Sequence, residues 1–263
     1  MKSKPPTDGT KTESPPPLPL HEAVRSTSTA ALLAAAADPS LGEDLALTLL
    51  RRRDLVPQVL ECLGKNAAVM KYRTVKVAVV ENPHTPRHLA LAVLRRLFTF
   101  DLMQVAITPA VDADLKLAAD EALINRLESV PLGERMSLAR RASGRVAGAL
   151  LLDPEPRIVE ASLENPRLTE ADVCKALALA EVSASLVQAV CRHSKWSLRP
   201  EIRAVLLRGG HLTPEQAGEF SRSLPTGTLR EILHISRLSE NAKLALDQEL
   251  ARRSKLPSRI ESQ

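Results

Sequence analysis

Aromatic side chains are almost missing from this chain: Tyr72, Phe98, Phe100, Trp196 and Phe220 make up 2% of 263 residues. That shortage removes the stacking platforms on which exposed bases are usually held, and it leaves arginine as the one plentiful interface anchor. Cysteine is scarce too. Cys62, Cys174 and Cys191 form an odd set with no Cys-x-x-Cys spacing, which argues for small core residues in a reducing compartment rather than a disulfide framework. A zinc site would have to recruit Cys174, Cys191 and His193, whose spacing matches no zinc motif. His84 and His88 are separated by Pro86, which places them off one helical face. There is no run of 18 apolar residues and no apolar signal-peptide core, and the stretch from Ala30 to Ala37 is too short to supply either. A soluble cytoplasmic protein with no membrane partner is therefore expected. Gly-rich phosphate loops, Ser/His/Asp groupings and metal-binding helix motifs are not found, so no catalytic residue, cofactor or metal is predicted.

What the chain does contain is a recurring phrase. Asp38-Pro39-Ser40-Leu41, Asn82-Pro83-His84-Thr85-Pro86, Asn165-Pro166-Arg167-Leu168-Thr169 and Gly209-Gly210-His211-Leu212-Thr213-Pro214 begin 44, 83 and 44 residues apart. The long gap hides one degenerate copy of a unit of roughly 42 residues, a period that signals a helical repeat array. Each phrase reads as a helix stop followed by a helix start. Asn82, Asn165 and Gly209 are expected to take the left-handed conformation just past a helix C-terminus, and Pro83 and Pro166 prevent continuation. Thr85, Thr169 and Thr213 are expected N-caps, with Pro86 and Pro214 at the first helical position and Asp172 and Gln216 completing capping boxes. The hidden copy is placed at Ser129-Val130-Pro131-Leu132-Gly133-Glu134, by analogy with Asp38 to Glu43.

A second recurrence adds a third helix to the unit. Leu55-Val56-Pro57-Gln58-Val59, Leu102-Met103-Gln104-Val105, Val146-Ala147-Gly148-Ala149, Leu186-Val187-Gln188-Ala189-Val190 and Leu229-Arg230-Glu231-Ile232 follow at steps of 47, 44, 40 and 43. Five units result, at about 21–64, 65–109, 110–152, 153–195 and 196–237. A capping helix follows at 239–252, with a Leu244/Leu246/Leu250 stripe and one wet face. Ala, Leu and Arg dominate, and no alternating β-branched run appears. Val75 to Val80 looks strand-like, but its place before an Asn-Pro stop makes it a buried helix. At 44% hydrophobic, the chain has enough apolar material for a continuous core. Residues 1–20, with six prolines, are expected to be a disordered tail, and 253–263 a basic flexible one.

These features resemble an armadillo/HEAT-type α-solenoid, in particular the loosely defined bacterial HEAT-like repeat proteins. Asp153-Pro154-Glu155-Pro156-Arg157-Ile158-Val159-Glu160-Ala161-Ser162-Leu163 is similar to the HEAT-like helix entry. The Asn-Pro turns differ from the Gly-rich turns of eukaryotic armadillo repeats. The resemblance covers residues 21 to about 250 and implies an all-α, right-handed solenoid of about five three-helix repeats.

Two residue series bear on function. Arg52, Arg96 and Arg140 recur 44 residues apart at the ends of successive second helices, within Arg51-Arg52-Arg53, Arg95-Arg96 and Arg140-Arg141, and the register lapses at Ala184 and Ser185. They read either as cations placed at helix C-termini or as a strip for acidic peptide, phosphate or polynucleotide. Gln58, Gln104 and Gln188 read as solvent-facing amides. The armadillo resemblance adds a ladder for the backbone of an extended peptide. Trp196, beside Lys195 and Arg199, reads as a core plug or as a binding residue.

The formal charge is +5, but residues 1–20 and 251–263 carry most of it. Lys2, Lys4 and Lys11 against Asp8 and Glu13 give +1; Arg252, Arg253, Lys255 and Arg259 against Glu261 give +3, so the body is nearly neutral at +1. HEAT-like folds include alkylpurine DNA glycosylases and bilin lyases, but no acidic and aromatic site of that kind is legible here. The sequence points to a non-enzymatic scaffold for a protein or peptide partner. The alternative is a nucleic-acid-binding HEAT-like protein using the arginine series and the basic C-terminal tail.

Overall fold

Frequent helix stops dictate short helices, and short helices are what form. The computed structural model describes residues 18–179 and 181–255, and among these there are α-helices and two 3-10 turns but no strand. Both tails expected from the sequence lie almost wholly outside the described residues. The chain divides into two compact units, the first ending at Leu97 and the second beginning at Phe98. The first holds α1 (Leu20–Ala23), α2 (Thr29–Ala37), α3 (Glu43–Leu50), α4 (Pro57–Lys65), α5 (Ala67–Met70), α6 (Arg73–Glu81) and α7 (Arg87–Leu94). The second holds α8 (Thr99–Ile107), α9 (Ala113–Ile124), α10 (Leu132–Arg141), α11 (Gly144–Leu150), α12 (Pro156–Leu163), α13 (Glu170–Leu177), α14 (Ala184–Arg192), α15 (Pro200–Arg208), α16 (Pro214–Ser221), α17 (Thr226–Ile235) and α18 (Glu240–Lys255).

Proline sets many of the starts. Pro57, Pro156, Pro200 and Pro214 occupy the first turn, where a missing N–H costs nothing. Thr169 and Thr213 close capping boxes with Asp172 and Gln216, as the spacing predicts. Thr85 does not cap. Its hydroxyl donates to Val79 O at 2.6 Å, and Pro86 stands at the N-cap of α7 instead of at its first position. Val75, Val79 and Val80 are buried on α6, so the strand-like stretch is helical.

The left-handed conformation expected at Asn82 and Gly209 is not found. Asn82 (φ −76°, ψ 122°) and Gly209 (φ −74°, ψ 173°) are both extended. The asparagines serve another need. A helix of eight to ten residues leaves its last carbonyls without intrahelical partners, and inside a core something must satisfy them. Asn82 Nδ2 donates to Leu50 O at the end of α3, and Asn165 Nδ2 donates to Ala139 O and Ala142 O at the end of α10. Asn66 Nδ2 does the same for Ala36 O and Asp38 O after α2. Their own Oδ1 atoms accept from Ala68, His84 and Arg167 N–H, which fixes the turn.

The turn itself recurs at 38–41, 82–85, 108–111 and 165–168, where the fourth N–H donates to the first carbonyl. Leu41, Val111 and Leu168, each at the fourth position, are buried. A turn of this form thus also occurs at Thr108 to Val111, outside the 42-residue register, while in Ser129 to Glu134 Leu132 is exposed where Leu41 is buried. Val for Leu and Thr for Asn disguised it.

In the second unit, α10 packs on α12 and α12 on α14, while α9, α11, α13, α15 and α17 form a parallel succession of neighbours. The segments 110–152, 153–195 and 196–237 each contain three helices, which pack both on their immediate successors and on the next but one. The core is continuous from Ala147 to Leu246, with Trp196 its largest member. In α18 the buried positions are Ala242, Leu246 and Glu249, while Leu244 is exposed, so the expected three-leucine stripe is displaced. Arg253, assigned to the tail, lies in this helix and donates to Ser221 O, Arg222 O and Leu224 O at the end of α16.

Candidate functional site

Three successive helices of one row form a groove in the second unit. Its volume is about 750 Å³, with Met136 and Arg140 from α10, Arg157, Glu160, Ala161 and Leu163 from α12, and Ala189 and Arg192 from α14. Glu164, His193 and Ser194 complete the lining. Because α12 contacts both α10 and α14, it lies between them. Arg157, Glu160 and Glu164 follow at i, i+3 and i+7, which sets them on one face of α12 as its core residues Ile158, Val159 and Ser162 turn inward.

Charge in the groove is mixed. Arg140 and Arg157 are exposed and have no ion-pair partner among the described residues. Arg192 Nε donates to Gln188 O, leaving the rest of its guanidinium open. His193 is held differently: its side chain is 12% exposed, and its Nδ1 accepts from Lys195 N–H at 3.2 Å and Trp196 N–H at 3.4 Å. With Nδ1 an acceptor, the ring proton of the neutral form is on Nε2. That atom stands 3.2 Å from Glu164 Oε1 but without hydrogen-bond alignment, so a buried donor is unsatisfied at the groove wall.

Trp196 is a core residue, which corrects its candidacy for binding. It is 1% exposed, its Nε1 donates to Leu163 O at 2.8 Å, and Lys195 Nζ lies 3.8 Å above its ring. The indole satisfies the end of α12 as the asparagines satisfy α3 and α10. It supports the groove from behind without reaching a partner.

The arginine series divides. Arg52 is bound within the first unit: Nε and Nη2 meet Asp54 at 2.9 and 2.6 Å, and Nη1 donates to Val24 O and Ser26 O. That pairing raises the Arg52 pKa and lowers that of Asp54. Arg96, also in the first unit, is exposed, and Arg140 lines the groove of the second. The glutamines differ in their surroundings. Gln58 is exposed on α4, Gln104 Nε2 donates to Thr108 Oγ1 one turn along, and Gln188 Oε1 accepts from Gln216 Nε2.

Sequence reasoning missed Arg157, Glu160, Glu164, Arg192 and His193. The i, i+3, i+7 polar face of α12 was a readable signal, but its pairing with α10 and α14 was not. Among the described residues no group of His, Cys, Asp and Glu is arranged to hold a metal ion. Burial pushes the Cys191 thiol up to about 11, which makes it a weak nucleophile. No described helix is long and apolar enough to cross a membrane. Comparison with protein-family models, curated proteins and solved structures gave no match to this chain.

Proposed function

We propose that this chain is a non-enzymatic scaffold of the armadillo/HEAT-like α-solenoid kind, whose α10–α12–α14 groove holds a charged segment of a protein partner. One observation carries the reading: Arg140, Arg157 and Arg192 share the groove with Glu160 and Glu164. A polypeptide bearing both carboxylates and amines can meet both signs. A phosphate backbone meets two like charges at the centre, which is an element of discrimination against it. Helix rows of this kind also offer a continuous surface without loops or cofactors.

Fluorescence anisotropy with a labelled peptide of interleaved Glu and Lys, and with an oligonucleotide of equal length, tests this directly. Saturable peptide binding that weakens about tenfold or more in the Arg140→Glu/Arg192→Glu double variant is expected. Tighter binding of the oligonucleotide, falling steeply as salt rises, would overturn the reading in favour of nucleic acid.

A further inference from the structure

A second cavity lies elsewhere in the same unit and has the opposite character. Its volume is about 550 Å³, and Leu177, Leu179, Val182 and Val205 give it an apolar floor, while Arg208 and Arg237 stand at its rim. Both arginines are exposed, and neither guanidinium has a hydrogen-bond or ion-pair partner among the described residues. Nor is any acidic side chain among the described residues that line the cavity. The two arginines are tied together through the backbone, Arg237 N–H donating to Arg208 O at 3.2 Å.

The wall between them supplies a second, independent feature. Gly210 and His211 line the cavity, and their backbone N–H groups donate to no acceptor among the described residues. Gly210 suits the site, because a Cβ at that position would stand 3.0 Å from Arg237 O, a tight contact. Two unpaired cations and two free backbone donors lining a chamber with apolar side chains match one anionic head on an apolar body.

We infer that this cavity binds a medium-chain aliphatic carboxylate, its chain against Leu177, Val182 and Val205 and its head between Arg208 and Arg237. A peptide fits less well. Its backbone amides would lie unpaired against the apolar floor, each at a desolvation cost, whereas an acyl chain presents no polar group below its head. The inference is independent of the groove and stands or falls without it.

Calorimetric titration of the full chain with decanoate, decanol and an acetylated tetrapeptide ending in leucine decides the matter. One decanoate per chain is expected, with decanol at least about tenfold weaker and the Arg208→Ala/Arg237→Ala variant weakened by a similar factor. Ala178 is an exposed lining residue, so Ala178→Trp should fill the chamber and abolish binding while leaving the melting temperature near that of the parent. Decanol equal to decanoate, an undiminished double-arginine variant, or no decanoate binding at millimolar concentration each overturns the inference. A leucine-terminated peptide that outcompetes decanoate does so too, and assigns the cavity to a protein C-terminus.

Discussion

The end of α3 and the end of α10 carry the same sequence feature and use it in opposite ways. Arg52 follows α3 and closes on Asp54 and on the Val24 and Ser26 carbonyls. Arg140, 44 residues after Arg96 in the same register, lies in α10 with its guanidinium open to a groove. The carbonyls at the end of α10 are satisfied by Asn165, as Leu50 O at the end of α3 is by Asn82. Asparagine therefore serves both helix ends, and what separates the two arginines is that Arg52 has Asp54 and the carbonyls after α1 within reach. Arg140 has no such neighbours and is left for a partner.

The largest test of this division removes an anchor behind the groove. Trp196→Ala should lower unfolding stability by about 3–5 kcal/mol in urea titration, through lost packing and the abandoned Leu163 carbonyl. A loss below about 1 kcal/mol would mean that the indole is not an anchor. Next, Arg52→Ala should cost about 1–3 kcal/mol and Arg140→Ala less than about 0.5 kcal/mol, read from the same titrations. Equal losses would erase the contrast between the two helix ends.

Smaller effects sharpen it. Arg253 holds the end of α16 and is itself held by Glu249, a buried carboxylate that Arg252 and Arg253 pull from its ordinary 4.5 down to about 2. A depressed folded-state pKa gives stability that is present above about pH 4.5 and is lost as pH falls toward 2. Glu249→Gln should flatten the acid limb of a melting-temperature profile across that window. Smallest of all is the effect expected at Asp120, which accepts from Ser143 Oγ while Ser143 caps α11. Burial raises its pKa, so the ionised form opposes folding at neutral pH. Asp120→Asn keeps an acceptor for Ser143 and should raise the melting temperature at pH 7 slightly. That gain should shrink as acid protonates the wild-type carboxyl, and a lower melting temperature at pH 7 would contradict it.

Much of the fold was legible residue by residue. The Thr169 and Thr213 capping boxes and the helical nature of Val75 to Val80 need only neighbours three or four positions away, and local spacing reports those faithfully. Asn82 and Asn165 were read as stops for the wrong reason, because their side-chain partners lie 23 to 32 residues back. Thr85 misled for a similar cause: its hydroxyl satisfies a carbonyl of the preceding helix. A further turn of the same form escaped because Thr108 and Val111 keep its hydrogen bond and its buried side chain without its letters. Of the groove, Arg140 was seen and the face of α12 was visible in spacing, but which helices flank that face was not.

By itself the sequence determined that the described residues are helical and where helices such as those opened by Thr169 and Thr213 start, since these follow from i to i+4 interactions and proline geometry. The tertiary structure alone decided which orphan carbonyl each Asn, Trp and Arg would satisfy, and so which arginines stay free. That choice depends on helix ends meeting across some thirty residues of chain, a distance over which no local propensity carries information.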